Sequence, residues 1–147
     1  MSRNEPLPQF PSRPEGEVAP GPCSSLAVTR GVRVEAHPVY LNEQTDAEGH
    51  NHVFGYRILI TNQSDQSVQV VGRRWVIIDG DGYRRDVEGD GVVGQQPVIE
   101  PGDSFEYASF CPLPTKWGTM EGSYLIEGET GRFWAGIARF YLVAAGE

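Results

Sequence analysis

Turn signals recur along this chain at intervals of about ten to seventeen residues, leaving room only for short extended segments between them. They fall at 62–67, 79–82, 89–94, 101–103, 112–118 and 128–131. The intervening stretches are rich in Val, Ile, Tyr, Phe and Trp, which suit a pleated, half-buried surface. Val32, Val34 and Ala36 alternate with Arg33, Glu35 and His37, the pattern of a strand with one wet face. The run 75–78 is apolar on both faces, and in 133–143 both alternate sets carry aromatic or branched side chains. Strands of that kind are central in a sheet or face a partner.

No window joins helical spacing to a capping residue, and 18 glycines in 147 residues interrupt most candidates. The expected fold is all-β: an antiparallel two-sheet β-sandwich of immunoglobulin or fibronectin type III form, with about seven or eight strands. The Cys–Trp–Cys spacing of antibody domains does not occur. In the hairpin 75–83, Trp75 is expected to face the core, with Gly80 and Gly82 at positive φ in the turn. Residues 32–36 are expected at a sheet edge that either pairs with its symmetry mate or is blunted by the charges of Arg33 and Glu35; a monomer or weak homodimer is expected.

Length and charge narrow the function. A chain of this size forms one core and buries roughly two thirds of its unfolded surface without staples. Cys23 and Cys111 lie in unlike settings with no CxxC or CxxH spacing, so neither a disulfide framework nor a zinc knuckle is expected. No basic patch leads into an apolar run at the N-terminus and no stretch has bilayer-spanning length, which points to a cytoplasmic protein without a membrane partner. Twelve basic against twenty acidic side chains give a net charge of −8, which repels nucleic acid. Six of the eleven prolines precede residue 23, with few apolar side chains among them. Residues 1–26 are therefore expected as a disordered tail and 27–147 as the folded domain.

Three stretches then carry a resemblance: Arg74-Trp-Val-Ile-Ile-Asp79, Val87-Glu-Gly-Asp-Gly-Val-Val-Gly-Gln-Gln-Pro97, and Pro101-Gly102 with Phe105-Glu-Tyr107. Gly118-Thr-Met-Glu-Gly-Ser-Tyr124 and Ile137-Ala-Arg-Phe-Tyr-Leu142 continue it in the same order. Over about residues 30–143 the chain resembles the ApaG family. The resemblance implies a fibronectin-type sandwich, found alone in bacteria and as a domain of eukaryotic F-box proteins and of a polymerase delta-interacting protein. There it looks like a protein-interaction module. Bacterial members are associated by name with cobalt and magnesium efflux, a phenotype that supplies no ligand set. The chain departs from the family pattern in its proline-rich leader, in the loop 42–52 and at Phe110-Cys111-Pro112.

Gly89, Gly91 and Gly94 spell GxGxxG, which binds pyrophosphate when a helix follows. Here Gln95, Gln96 and Pro97 lead into an extended segment, so the dinucleotide reading lacks its helix. What survives is an anion nest of backbone amides flanked by Arg73, Arg74, Arg84 and Arg85. Its alternative is a tight connection shaped by glycine, with the arginines paired to Asp81, Asp86 or Glu88. His50 and His52 lie near Glu43, Asp46 and Glu48, but mostly as charged residues of a polar loop, so no metal site is assigned. Catalytic motifs are missing: Cys111 has no neighbouring histidine, neither HExxH nor GxSxG occurs, and His37 beside Pro38 reads as structural. The aromatics of 105–110 and 133–141 cannot all point inward, so some meet another surface or close an open end.

The expectation is a small non-enzymatic binding module that uses no cofactor and engages a protein partner, with the 89–97 loop as its functional surface. The alternative is a sensor that takes a phosphate-containing anion or a divalent cation at the same loop.

Overall fold

The computed structural model describes residues 21–41 and 51–144. Nine strands occur among them: β1 Ser25–Thr29, β2 Val32–Tyr40, β3 His52–Asn62, β4 Val68–Asp79, β5 Arg84–Asp90, β6 Val98–Ile99, β7 Ser104–Leu113, β8 Trp117–Gly128 and β9 Gly131–Val143. All pairs are antiparallel. One sheet runs β1-β2-β3-β7 and the other β5-β4-β8-β9, with β6 paired to β4. The all-β two-sheet sandwich expected from the turn spacing is the observed fold.

Alternation decides which side chains lie between the sheets. Val32, Val34 and Ala36 of β2 and Phe54, Ile58 and Ile60 of β3 are buried, and they meet Trp75, Ile77, Met120, Tyr124, Ile126, Ile137 and Phe140 from the second sheet. Trp75 sits where the aromatic contacts converge, its ring 5.4 Å from Tyr56, 5.9 Å from Phe140 and 6.3 Å from Tyr124. Val70 and Trp75, five positions apart, can both point inward because a bulge between Val70 and Gly72 shifts the register of β4 on β8.

Hydrogen bonds to the backbone tie the two sheets together along the β1–β9 side. The Gly136 amide donates to Thr29 Oγ1, the Ser25 hydroxyl to the Ala138 carbonyl and the Tyr141 amide to the Cys23 carbonyl, which ties the β1 side to β9. On the opposite side, among the described residues, β5 and β7 end their sheets.

Three local expectations change. The segment 32–36 lies inside a sheet, because β1 pairs along its other edge. That strand begins at Ser25, within the stretch expected to lack order; residues 1–20 lie outside the described residues. In the 79–83 turn only Gly82 takes positive φ, at 91°. The Asp79 carboxylate accepts the amides of Asp81 and Tyr83 and holds the turn from inside, so Gly80 stays in an ordinary conformation.

Candidate functional site

The glycine loop is a closed local structure. The Val92 and Gln95 amides donate to each other's carbonyls at 2.8 Å, and Val93 and Gly94 between them both have positive φ, at 41° and 79°. That is the geometry of a two-residue turn that favours Asn or Gly at both central positions. The Gly91 amide donates to the Val71 carbonyl, the Gln96 side chain to the same carbonyl, and the Val70 amide to the Pro97 carbonyl. Three loop amides, those of Gly91, Val92 and Gln95, are thus engaged within the protein. Gly91 is required sterically, since a Cβ there would overlap the Gln95 carbonyl oxygen. No helix follows the motif: β6 comes next and pairs with β4.

The four arginines do not converge. Arg73 turns between the sheets, where its Nη1 donates to the Asp90 carbonyl at 2.8 Å and the Gly91 carbonyl at 3.0 Å. Gly89 faces it in register, and a Cβ at that position would lie 2.7 Å from the guanidinium. Arg85 also turns inward, with Nη2 3.9 Å from Cys111 Sγ. Arg74 points outward and stacks over the Trp134 ring at 4.1 Å. Arg84, also on the surface, is paired with Asp86 at 2.8 Å. Of the ion pairs expected for these arginines, this one forms.

Two concavities flank the loop. The first is a cleft of about 300 Å³ at the open side of the sandwich, lined by Arg73, Arg85, Val93, Tyr56, Trp75, Tyr107 and Cys111 among others. Burial raises the pKa values of the hydroxyls and the thiol in and behind this cleft. Tyr56, Tyr107 and Tyr124 are all held above the ordinary phenol value, chiefly by desolvation, and the Tyr107 and Tyr124 hydroxyls are hydrogen-bonded to each other. Burial pushes the Cys111 thiol up to about 11 against the opposing pull of Arg85. The residue is therefore a protonated, unreactive thiol at neutral pH. Its raised value adds stability that is complete below about pH 9 and lost as pH rises through about 11. At pH 8 an aromatic disulfide reagent is expected to label Cys23 in the native chain, and Cys111 only after denaturant is added. Labelling of both at one rate in the native state would show that the cleft does not shield Cys111.

The second concavity, about 560 Å³, is an open groove on the outer face of the second sheet. The loop residues Gly89, Asp90 and Gln96 form one wall, and Leu125 and Trp134 lie across from them. Periodicity alone does not reveal the cleft, because its tyrosines, Tyr56 and Tyr107, come from two strands distant in sequence. The inward parity of Tyr107 was its only local sign.

His52 is buried with Nδ1 3.4 Å from the Tyr40 hydroxyl, while Glu43, Asp46, Glu48 and His50 lie outside the described residues. Among the described residues no group of three or more His, Cys, Asp or Glu is placed to hold a metal ion. Ser24, His37 and Glu35 do come together, with Ser24 Oγ 3.1 Å from Nδ1 and Glu35 Oε1 3.2 Å from Nε2. The order resembles a serine triad, but the trio is on the outward side of β2, Glu35 is shared with Arg33 at 3.3 Å, and neither concavity is lined by these residues. The arrangement docks the start of β1 onto β2. No helix among the described residues is long and apolar enough to cross a membrane.

Comparison with known proteins accords with this geometry. Residues 42–128 match the model of the ApaG domain. Protein ApaG of Brucella anthropi is 50% identical over 105 residues, covering 71% of this chain and 81% of that one. Protein ApaG of Brucella canis is 49% identical over the same span. The crystal structure of the putative ApaA protein from Bordetella pertussis superposes with a TM-score of 0.75 at 44% identity, covering 79% of this chain and 95% of that one. The C-terminal domain of wzt, at 12% identity and a TM-score of 0.53, shares the fold alone. The strands outside the matched segment, β1, β2 and β9, pair into the same two sheets, so one sandwich carries the whole resemblance. This chain belongs to the ApaG family.

Proposed function

We propose that this ApaG protein is a non-enzymatic cytoplasmic binding module that engages a protein partner through the outer face of the β5-β4-β8-β9 sheet. The contrast between its two outer faces carries the reading. Both faces bear ion pairs, Arg33 with Glu35 and Arg57 with Glu106 on the β1-β2-β3-β7 sheet and Arg132 with Glu127 and Arg139 with Glu121 on the other, and the exposed apolar side chains of the first sheet, Leu26 and Val28, are aliphatic. On the other sheet Trp117, Trp134 and Tyr141 are exposed by 49%, 42% and 41%. Trp, Tyr and Arg are the side chains that dominate binding energy at protein interfaces. Arg74 stacked on Trp134 makes a preorganised pair of that kind, and the groove beside it is walled by the 89–97 loop. On this reading the loop shapes the contact surface, and a link to cobalt or magnesium homeostasis runs through the partner.

The test is photo-crosslinking in cells, with a benzophenone side chain placed at Trp134 and, in a second strain, at Glu35 on the opposite face. A discrete adduct from position 134 that is absent from position 35 and survives moderate salt supports the reading. Equal or absent crosslinking at both positions removes it.

A further inference from the structure

We infer that β7 is a docking edge for an extended partner segment that carries acidic side chains. This rests on the protein-binding reading above, and it assigns a second surface and the chemistry of what occupies it.

The two strands that end the sheets at the open side are built differently. Edge strands avoid unwanted pairing by carrying charges, by being short or bulged, or by being covered. Along β5, Arg84, Arg85, Asp86, Glu88 and Asp90 are charged, five positions of seven. β7 is ten residues long, and from Tyr107 to Cys111 it carries no charge at all. Among the described residues its only strand neighbour is β3. Between Glu106 and Pro112, the uncharged stretch from Tyr107 to Cys111 is a template for strand addition, in which main-chain hydrogen bonds provide affinity and alternate side chains provide selectivity.

The cleft supplies that selectivity. A strand laid along β7 extends its sheet toward β5 and sends alternate side chains over the cleft mouth. Two guanidinium groups wait there: Arg73, fixed by two backbone carbonyls, and Arg85, held by a thiol contact at 3.9 Å. The surrounding floor is aromatic and aliphatic, so a carboxylate entering it gains more from each guanidinium than it would in open water. Inward carboxylates alternating with outward apolar residues are the complementary pattern.

Val93 fits the same account. It is a β-branched residue at φ 41°, half exposed at the cleft, in a turn position that Asn or Gly fills without strain. A strained residue of this kind persists only where the surrounding structure holds it, and such residues cluster at ligand clamps. Here its isopropyl group forms an apolar lip over the docking line.

The test uses the full chain labelled with nitrogen-15 and two capped heptapeptides, one alternating Val and Glu, the other Val and Lys. The Val/Glu peptide is expected to shift the amides of residues 107–111 and slow their exchange. It is expected to bind at least about tenfold tighter than the Val/Lys peptide, with the preference reversed by Arg85→Glu. Val93→Asn is expected to weaken binding while raising thermal stability. Three results would overturn the inference. One is silence at 107–111 at millimolar peptide; another is equal response to both peptides. The third is a stable homodimer in solution that Ala108→Glu dissociates, which would give the edge to a second copy of this chain. Crosslinking at Trp134 combined with peptide silence would sink the β7 site and leave the binding-module reading standing.

Discussion

Trp75→Ala is expected to lower the unfolding free energy by about 3–5 kcal/mol, the range for a buried aromatic reduced to a methyl group. Trp75 is 3% exposed and makes ring contacts with Tyr56, Tyr124 and Phe140, which come from β3, β8 and β9. Removing the indole therefore opens a void shared by both sheets, and rigid strands on either side keep it from collapsing. The midpoint of thermal unfolding should fall by on the order of 10–20 °C for a domain of this size. Trp75→Phe, which keeps part of the edge-on packing, should cost about 1–3 kcal/mol. Urea titration of the three proteins decides the matter, provided the slope with denaturant stays constant. A loss below about 1 kcal/mol for the alanine variant would show that the sandwich closes over the missing ring.

Gly122→Ala should be nearly as damaging although it adds only one carbon. Gly122 lies opposite Trp75 in the β4–β8 register, and a Cβ there would overlap the Arg74 carbonyl oxygen. The obstacle is backbone, which cannot rotate away, so the two central strands must part or shift. The expected cost is about 3–4 kcal/mol. Gly136→Ala is the matched control, because its nearest neighbour, Thr29 Oγ1, would be 3.8 Å from the new carbon. That substitution should stay within about 0.5 kcal/mol of the parent. Equal destabilisation by both variants would mean that glycine is needed for a reason other than the approach of β4 to β8.

Much of the fold was legible because β structure writes itself locally. Turn chemistry marked the connections near residues 62, 79, 101 and 128, and alternation identified Val32, Val34 and Ala36 as an inward row. The same local logic failed where a neighbour in space decides the outcome. Residues 32–36 look like an edge from their charges, yet β1 covers that edge, and β1 begins within the stretch whose composition suggested disorder. Gly80 has a turn residue's identity but needs no positive φ, because the Asp79 carboxylate already satisfies the turn's amides.

The candidate site shows the same division. Arg73 and Arg74 are adjacent in sequence, and from sequence both flank the glycine loop as one cationic cluster. The bulge between Val70 and Gly72 sets the parity of β4, so Arg73 enters the cleft while Arg74 goes to the outer face and Trp134. A single inserted residue flips the face of every side chain after it, and nothing in the local pattern marks where the insertion sits. The Tyr107–Tyr124 pair, the shielding of Cys111 and the uncharged edge of β7 likewise depend on which strands become neighbours.

By itself, then, the sequence determined the class of fold, the inward rows, most of the turns and the family, because these follow from residue type and a period of two. Only the tertiary structure decided which strands end the sheets, which arginine faces which surface, and where the two concavities lie. Those depend on pairing between segments far apart in the chain, whose register is set by the packing of the whole core.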